Sequence, residues 1–382
     1  MASSTVIEPQ RNVLLARLTT LKIGGSARYF LRVESEEQIV RAFEFARENS
    51  LEVFILGGGS NVLISDNGFD GLVLQIALKG ISEERSGNSV LVTAQAGEDW
   101  DSFVAKCISE HLAGVECLSG IPGYVGGTPV QNVGAYGQEV SETIVSVRCY
   151  DRRSHQIVEL ANAECGFEYR KSIFNSAHKD KYVVLAVTYR LTQDGEPKLV
   201  YKDLKEYFLK GPGSATGTTK QHEITRKIQP AKIPRSAIRI PQSDRPSLQE
   251  IRDAVLAIRR AKSMVIDEGD PNSRSAGSFF KNPIVPLTKY SGIAATAERE
   301  VPKFAVDDLH VKLPAAWLIE NAGFHKGFVF GNAGISSKHT LALINRGAAT
   351  AAEIVALKDL IQQKVAVKFG IELMPEPVFI GF

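Results

Sequence analysis

The sequence predicts an α+β protein built in more than one part. Three observations predict it. Apolar runs of strand character alternate with amphipathic helical stretches through the first half of the chain. Three capping patterns, Ser35–Gln38, Ser247–Glu250 and Thr350–Glu353, open helices far apart in the sequence. The length, 382 residues, exceeds what one ordinary domain holds.

The elements follow in order. Ser35-Glu36-Glu37-Gln38 opens a helix to about Asn49, with Ile39, Val40 and Phe43 as its apolar stripe. Val53 to Leu56 is a short strand that runs into glycines. Asp70-Gly71 reads as a turn before a strand from Leu72 to Ile76. Val90 to Ala96 alternates like a half-buried strand. Asp99 to Leu112 reads as a helix with Trp100, Phe103, Val104 and Cys107 on one face. Val145 to Tyr150 and Gln156 to Leu160 flank Asp151-Arg152-Arg153-Ser154 as a hairpin. Tyr182 to Leu191 is strongly β-prone.

Composition changes at Lys205. From there to Arg245 the chain carries nine Lys/Arg against three Asp/Glu, the stretch KGPGSATGTTK, and Pro230, Pro234 and Pro241. A coil of that length inside a compact domain is unusual. It reads as a mobile basic insertion, and its Pro, Gly and Thr content favours a solvated linker over a lid. Order resumes at Ser247, after which Ile251, Val255 and Ile258 trace a helical face. Thr350 opens a helix to about Phe369, and Val378 to Ile380 is a short apolar strand.

The bulk properties exclude several classes. A net charge of +2, 44% hydrophobic and 23% charged residues fit a soluble globular protein with no bias toward nucleic acid or membrane. The opening MASSTVIEPQRNVLLARLTT has no apolar signal-peptide core. No run approaches the ~18 apolar residues of a membrane span. Cys107, Cys117, Cys149 and Cys165 lack the CxxC spacing of a zinc site and suggest no disulfide framework. The expectation is a reducing cytoplasm and no metal.

Two glycine-rich stretches raise the question of a ligand. FILGGGSNVLISD, residues 54–66, places Gly57 and Gly59 where a dinucleotide fingerprint begins, but Val62 occupies its third glycine position. No Gly-Lys-Ser/Thr follows, and Val62-Leu63-Ile64 makes the loop a strand-to-strand connection. SGIPGYVGGTPVQNVGAYG, residues 119–137, is a second rigid, nearly side-chain-free stretch. Two such loops suit a diphosphate held on main-chain N–H groups. They equally suit two ordinary turn clusters, and glycine content alone does not choose.

LGGGSNVL, GIPGYVGGTPVQNVGAYG, YRKSIF, AGSFFKNP and PEPVFIG occur in that order. Together they resemble the UDP-N-acetylenolpyruvoylglucosamine reductase (MurB) family, from about Leu21 to Gly381. The resemblance implies a two-part FAD-binding region of the MurB/vanillyl-alcohol-oxidase-like (PCMH-type) fold, with a C-terminal α+β substrate domain. The implied parts are 1–77 with 371–382, 78–246, and 247–370. It implies non-covalent FAD, its diphosphate and flavin flanked by Gly57, Gly58, Gly59, Ser60, Asn61, Ile121, Pro122, Gly123, Thr128, Gln131 and Gly134. It implies NADPH as hydride source and UDP-N-acetylglucosamine enolpyruvate as the molecule reduced, in a bacterial cytoplasmic monomer that serves peptidoglycan synthesis.

The resemblance also implies roles. Arg170 matches an arginine whose guanidinium can pair with a carboxylate through two hydrogen bonds. Ser278 matches a proton donor, although a lone serine beside glycine is usually a turn residue and no Gly-x-Ser-x-Gly elbow surrounds it. Glu376 matches a glutamate acting on the carboxylate side of the reacting double bond. The family pattern would place an acidic residue at Met374 and no proline at Pro377. Tyr136, Tyr201, Arg259, Lys262, Asn282 and Lys326 match substrate contacts, and His339 is a weaker candidate. One rival is another FAD oxidoreductase of the fold acting on a small alcohol. Such enzymes often tether flavin through His or Cys, and neither glycine loop has either. A second rival is a flavin-free nucleotide-sugar-binding protein, against which Arg170, Ser278 and Glu376 stand.

Overall fold

The computed structural model describes residues 7–210 and 245–382. The bulk of the basic insertion, 211–244, lies outside the described residues.

The chain opens with β1 (Gln10–Leu14), β2 (Ser26–Val33), α1 (Glu36–Glu48), β3 (Val53–Leu56), β4 (Val62–Ile64) and β5 (Phe69–Ile76). One sheet runs β1-β2-β5-β3, antiparallel at β1 and parallel beyond. Ser35 caps α1 by accepting from the Gln38 N–H. The Gln38 carboxamide reaches back to the Glu34 N–H at 2.7 Å rather than to Ser35, so the expected box closes one residue early. Asp70 and Gly71 are not a turn but lie inside β5. A Cβ on Gly71 would meet the Glu52 carbonyl oxygen at 2.4 Å, so the glycine serves close backbone approach.

Next come β6 (Ile81–Ser86), β7 (Ser89–Gln95), α2 (Trp100–Ser109), β8 (Leu112–Ala113), β9 (Gly134–Ala135), β10 (Gln138–Glu139), β11 (Ile144–Asp151), β12 (Gln156–Ala161), β13 (Tyr182–Gln193) and α3 (Lys202–Lys210). The second sheet, β12-β11-β13-β7-β6, is antiparallel throughout, and β8 pairs with the end of β13. α2 buries Trp100, Phe103, Val104, Cys107 and Ile108. It stops at Ser109 rather than Leu112, because His111 takes φ +59° and Leu112 begins β8. The expected coil from Lys205 begins instead as α3, whose Leu204 is fully buried. One core joins both sheets, running from Leu31, Ile39 and Leu72 through Val92 and Phe103 to Tyr189.

The remainder holds α4 (Leu248–Ala261), β14 (Ile284–Pro286), α5 (Leu287–Thr296), β15 (Phe304–Ala305), β16 (His310–Lys312), α6 (Ala315–Asn321), β17 (Val329–Phe330), β18 (Ala333–Ile335), β19 (Leu343–Asn345), α7 (Ala351–Phe369) and β20 (Val378–Ile380). Both bonds of the capping box form at Ser247/Glu250 and at Thr350/Glu353. α7 ends where Gly370 adopts φ +59°. Sheets β14-β16-β15 and β17-β18-β19 share a core with α6 and α7 through Phe279, Val311, Leu318, Ile335, Leu357 and Ile361. α4 packs elsewhere, setting Ile251, Ala254, Val255 and Ile258 against Cys117 and Leu204. β20 pairs in parallel with β4, Val378 opposite Val62. This returns the chain to the first glycine loop. All four cysteines are buried and unbridged. Among the described residues no helix is long and apolar enough to cross a membrane.

Candidate active site

The two glycine loops meet backbone to backbone. The first, Gly57–Asn61, joins β3 to β4. The second follows α2 and is fastened to the β7–α2 connection: Trp100 N–H donates to the Gly123 carbonyl, Val125 N–H to the Glu98 carbonyl and Gly126 N–H to the Ala96 carbonyl, at 2.9–3.0 Å. A Cβ on Gly58 would lie 2.7 Å from the Gly123 Cα, and one on Gly123 2.8 Å from the Ser60 hydroxyl oxygen. Gly59, at φ +65°, has no room beside the Leu18 carbonyl. Gly57 and Gly127 are different, since a Cβ on either would meet nothing within 4 Å. Glycine is therefore required where the loops touch, while Gly57 and Gly127 border open space. That is the form of a diphosphate cradle, and it fits FAD.

The other expected cofactor residues lie on or beside these two loops, not all of them facing the seam. Ile121 and Pro122 are half-buried beside it, and Ile121 packs on the main core. The side-chain amide of Asn61 donates to Gln131 Oε1 at 3.1 Å and to the Glu376 carbonyl at 3.3 Å. Thr128 turns inward, its hydroxyl bonded to the Val125 carbonyl and the Tyr189 hydroxyl, both at 2.8 Å. The Gly134 carbonyl accepts from Arg170 Nη2 at 2.5 Å.

Arg170 and Glu376 meet across the site. Arg170 Nε lies 3.2 Å from Glu376 Oε1, with both side chains at least four-fifths buried. Arg170 Nη1 also reaches the Asn132 carbonyl at 3.4 Å. Its backbone sits at φ +55°, a strained conformation for a side-chain-bearing residue that aims the guanidinium inward. Burial pushes the Glu376 carboxyl above its ordinary range, while Arg170 and Lys281 pull it back. Tyr169 completes this end: its ring lies 5.3 Å from the Arg170 guanidinium carbon and 4.2 Å from Lys312 Nζ. Burial lowers Lys312, and Arg170 adds to the drop.

Ser278 is brought to Glu376 by the backbone. Glu376 N–H donates to the Phe279 carbonyl at 2.8 Å, Lys281 N–H to the Met374 carbonyl at 2.9 Å, and Phe280 bridges to Pro375. The two departures from the family pattern lie on this connection. The Met374 side chain is exposed. Pro377 lies between two bonded N–H groups, since Glu376 donates to Phe279 and Val378 to the Asn61 carbonyl. Ser278 Oγ is 3.3 Å from His339 Nε2. Burial, then Lys262, Lys326 and Arg259, lower His339 from 6.5 to about 4, so the ring is neutral at pH 7.

The expected substrate contacts divide into two kinds. Tyr136 and Tyr201 meet edge to face at 5.5 Å, and Lys262 pairs with Asp203 at 3.0 Å. Lys326 is exposed. Arg259 and Asn282 are more occupied. Arg259 is buried, its Nε on the Gly120 carbonyl and Nη2 on the Met264 carbonyl. Asn282 Oδ1 accepts from the Ala315 N–H and so caps α6. Sequence reasoning did not single out Tyr169, Lys281 or Lys312. The first two sit inside the quoted motifs beside chosen residues, whereas Lys312 carries no local signal.

Comparison with known proteins shows the family. The family model of the UDP-N-acetylenolpyruvoylglucosamine reductase C-terminal domain matches residues 270–380, and that of the FAD binding domain matches 27–160. The UDP-N-acetylenolpyruvoylglucosamine reductase of Thermobifida fusca is 43% identical over 97% of this chain and 98% of its own. That of Saccharopolyspora erythraea is 40% identical over 97% and 96%. The crystal structure of the Thermus caldophilus reductase is 23% identical and superimposes with a TM-score of 0.62, covering 98% of this chain and all of the other, which shows a shared fold. With an FAD-binding domain at its front and relatives of this identity along nearly its whole length, the chain belongs to the UDP-N-acetylenolpyruvoylglucosamine reductase family of FAD-carrying oxidoreductases.

Proposed function

We propose that this protein reduces the enolpyruvyl double bond of UDP-N-acetylglucosamine enolpyruvate to the lactyl ether of UDP-N-acetylmuramate, with NADPH as reductant, in peptidoglycan precursor synthesis. The setting is the bacterial cytoplasm and the active form a monomer. The observation that carries the reading is the convergence of Arg170, Ser278 and Glu376, one from each proposed part (78–246, 247–370, and 1–77 with 371–382), on one backbone seam.

Bound FAD would supply a carrier that accepts hydride from NADPH and gives it to the sugar's double bond; Gly57–Asn61 and the 121–134 stretch would hold it. The protein's own residues do the rest. Hydride addition to an enol ether bearing a carboxylate places negative charge on the carboxylate side. Arg170 faces that charge with a fixed guanidinium, and Glu376, raised by burial, can hold a proton beside it. Ser278 delivers the proton to the adjacent carbon. Lys262, Tyr136 and Tyr201 form the surface for the UDP diphosphate and sugar, and Lys326 adds charge at its rim. Arg259 supports that surface from behind through Gly120 and the Tyr136 hydroxyl.

The test is an anaerobic visible spectrum. Bleaching of the flavin band by NADPH, followed by recovery on adding the enolpyruvyl sugar, is expected. Bleaching without recovery would leave an FAD oxidoreductase with a different oxidant.

A further inference from the structure

A serine hydroxyl is a poor acid, so its surroundings must make the alkoxide tolerable if Ser278 is to give up a proton. The partner within hydrogen-bonding distance is His339, with Nε2 at 3.3 Å from Ser278 Oγ. The contact is built by the backbone. Phe279 N–H donates to the Leu341 carbonyl at 2.7 Å, which clamps the loop carrying Ser278 to the segment carrying His339. Ala342 N–H closes a turn onto the His339 carbonyl at 3.1 Å. The backbones that carry the two side chains are thus tied to each other.

We propose that His339 positions Ser278 by donating its Nε2–H to Ser278 Oγ, an inference that rests on the reductase reading above. The donor direction follows from what the serine must do. If Nε2 accepted, the serine proton would point at the ring and away from the substrate. An imidazolium could deliver a proton in its place, but the ring is neutral at pH 7. With Nε2–H as donor, the serine proton is free to face the reacting carbon. In the step, the Ser278 O–H bond breaks and a C–H bond forms. The electron pair stays on Oγ, and water reprotonates the alkoxide before the next turnover. His339 keeps its proton throughout and stabilises the oxyanion.

The surrounding charges act in the same sense. Lys262, Lys326 and Arg259 make positive charge on the ring unfavourable. The same positive potential, 3.3 Å away, makes negative charge on Ser278 Oγ favourable. Of the carboxylates around this segment, Asp203 holds Lys262, Asp270 holds Lys338 and Glu320 accepts from the Thr340 hydroxyl.

The experiment is stopped-flow kinetics on the FAD-loaded full chain and the variants His339→Leu and His339→Gln. The readout is the ratio of two rates in each protein, flavin reoxidation by the enolpyruvyl sugar over flavin bleaching by NADPH. A general structural defect lowers both rates and leaves the ratio alone. Loss of the donor in H339L should lower the ratio by roughly 10²-fold and enlarge the solvent deuterium isotope effect on reoxidation. H339Q, whose amide N–H can donate, should recover most of the ratio. A ratio in H339L within roughly threefold of wild type, or equal losses in H339L and H339Q, would overturn the inference. Failure of the wild-type flavin to reoxidise with the sugar would overturn the reductase reading itself, and this inference with it.

Discussion

Gly58 and Gly123 belong to loops far apart in sequence, and a Cβ on the first would lie 2.7 Å from the Cα of the second. The obstacle is backbone, with no flexible side chain to give way. Gly58→Ala should therefore part the loops and yield protein purified with less than about a tenth of the wild-type flavin. Gly57→Ala is the informative contrast, because a methyl group there meets nothing within 4 Å. It should melt as the FAD-free wild type does, yet bind FAD more weakly if that space is the diphosphate's. The ratio of flavin to protein absorbance, together with a thermal melt, separates the two.

Replacing Arg170 with Lys keeps a charge but removes the fork that grips Glu376, Gly134 and Asn132 at once. The expected result is loss of roughly 10²-fold or more in flavin reoxidation by the sugar, with bleaching by NADPH much less affected. Glu376→Gln should act on the same half of the reaction. Single-turnover traces check both, and an equal loss in the two halves would count against the roles assigned.

Asp101 forms two bonds to Arg252, at 2.7 and 2.8 Å, and accepts the Gly120 N–H at 2.6 Å. It thereby ties α4 to the second glycine loop. Burial alone would raise this carboxyl, but these partners hold it below its ordinary range. Asp101→Ala should cost about 2 kcal/mol in urea unfolding and also weaken FAD retention. A double-mutant cycle with Arg252→Ala should show that most of the stability loss is shared.

Acid should destabilise the fold through His339. The unfolded chain takes up this proton near 6.5, the folded chain only near 4. The group's contribution is present above 6.5 and drains away as pH falls from 6.5 to 4. Glu376 works the other way, since its raised carboxyl favours the folded state at low pH and loses that contribution as pH rises. Urea midpoints between pH 7 and 4.5 should fall more steeply for wild type than for His339→Gln, and more steeply still for Glu376→Gln.

Local pattern made much of the fold legible. Capping residues Ser247 and Thr350 open α4 and α7 correctly, alternation located β7, the hairpin pattern located β11 and β12, and β-propensity located β13. The errors share a cause. Gly71 looked like a turn because a glycine needed for approach to Glu52 is indistinguishable, in sequence, from one needed for a bend. The helix through Leu204 was hidden because its buried side chain answers to α4 and Cys117, both distant. In the site, motifs pointed to Arg170, Ser278 and Glu376, but not to what joins them. The Phe279–Leu341 bond that sets His339 beside Ser278 arises from non-local pairing, whereas the positive φ of Arg170 belongs to a tight turn closed by Glu168 and Lys171. Arg259 was legible as a cation. Its burial against Gly120 was not.

The Asn61–Glu376 bond spans 315 positions of sequence. During synthesis, at roughly 5–20 residues per second, that separation amounts to on the order of half a minute. Gly58 and Gly123 emerge early and can form their contact while Glu376 has not yet been made. The strand that pairs with β4 beside the first glycine loop is thus among the last parts of the chain to be made, so a newborn chain has both glycine loops well before it has the β20 strand and the Glu376 carbonyl that fasten Asn61 and β4.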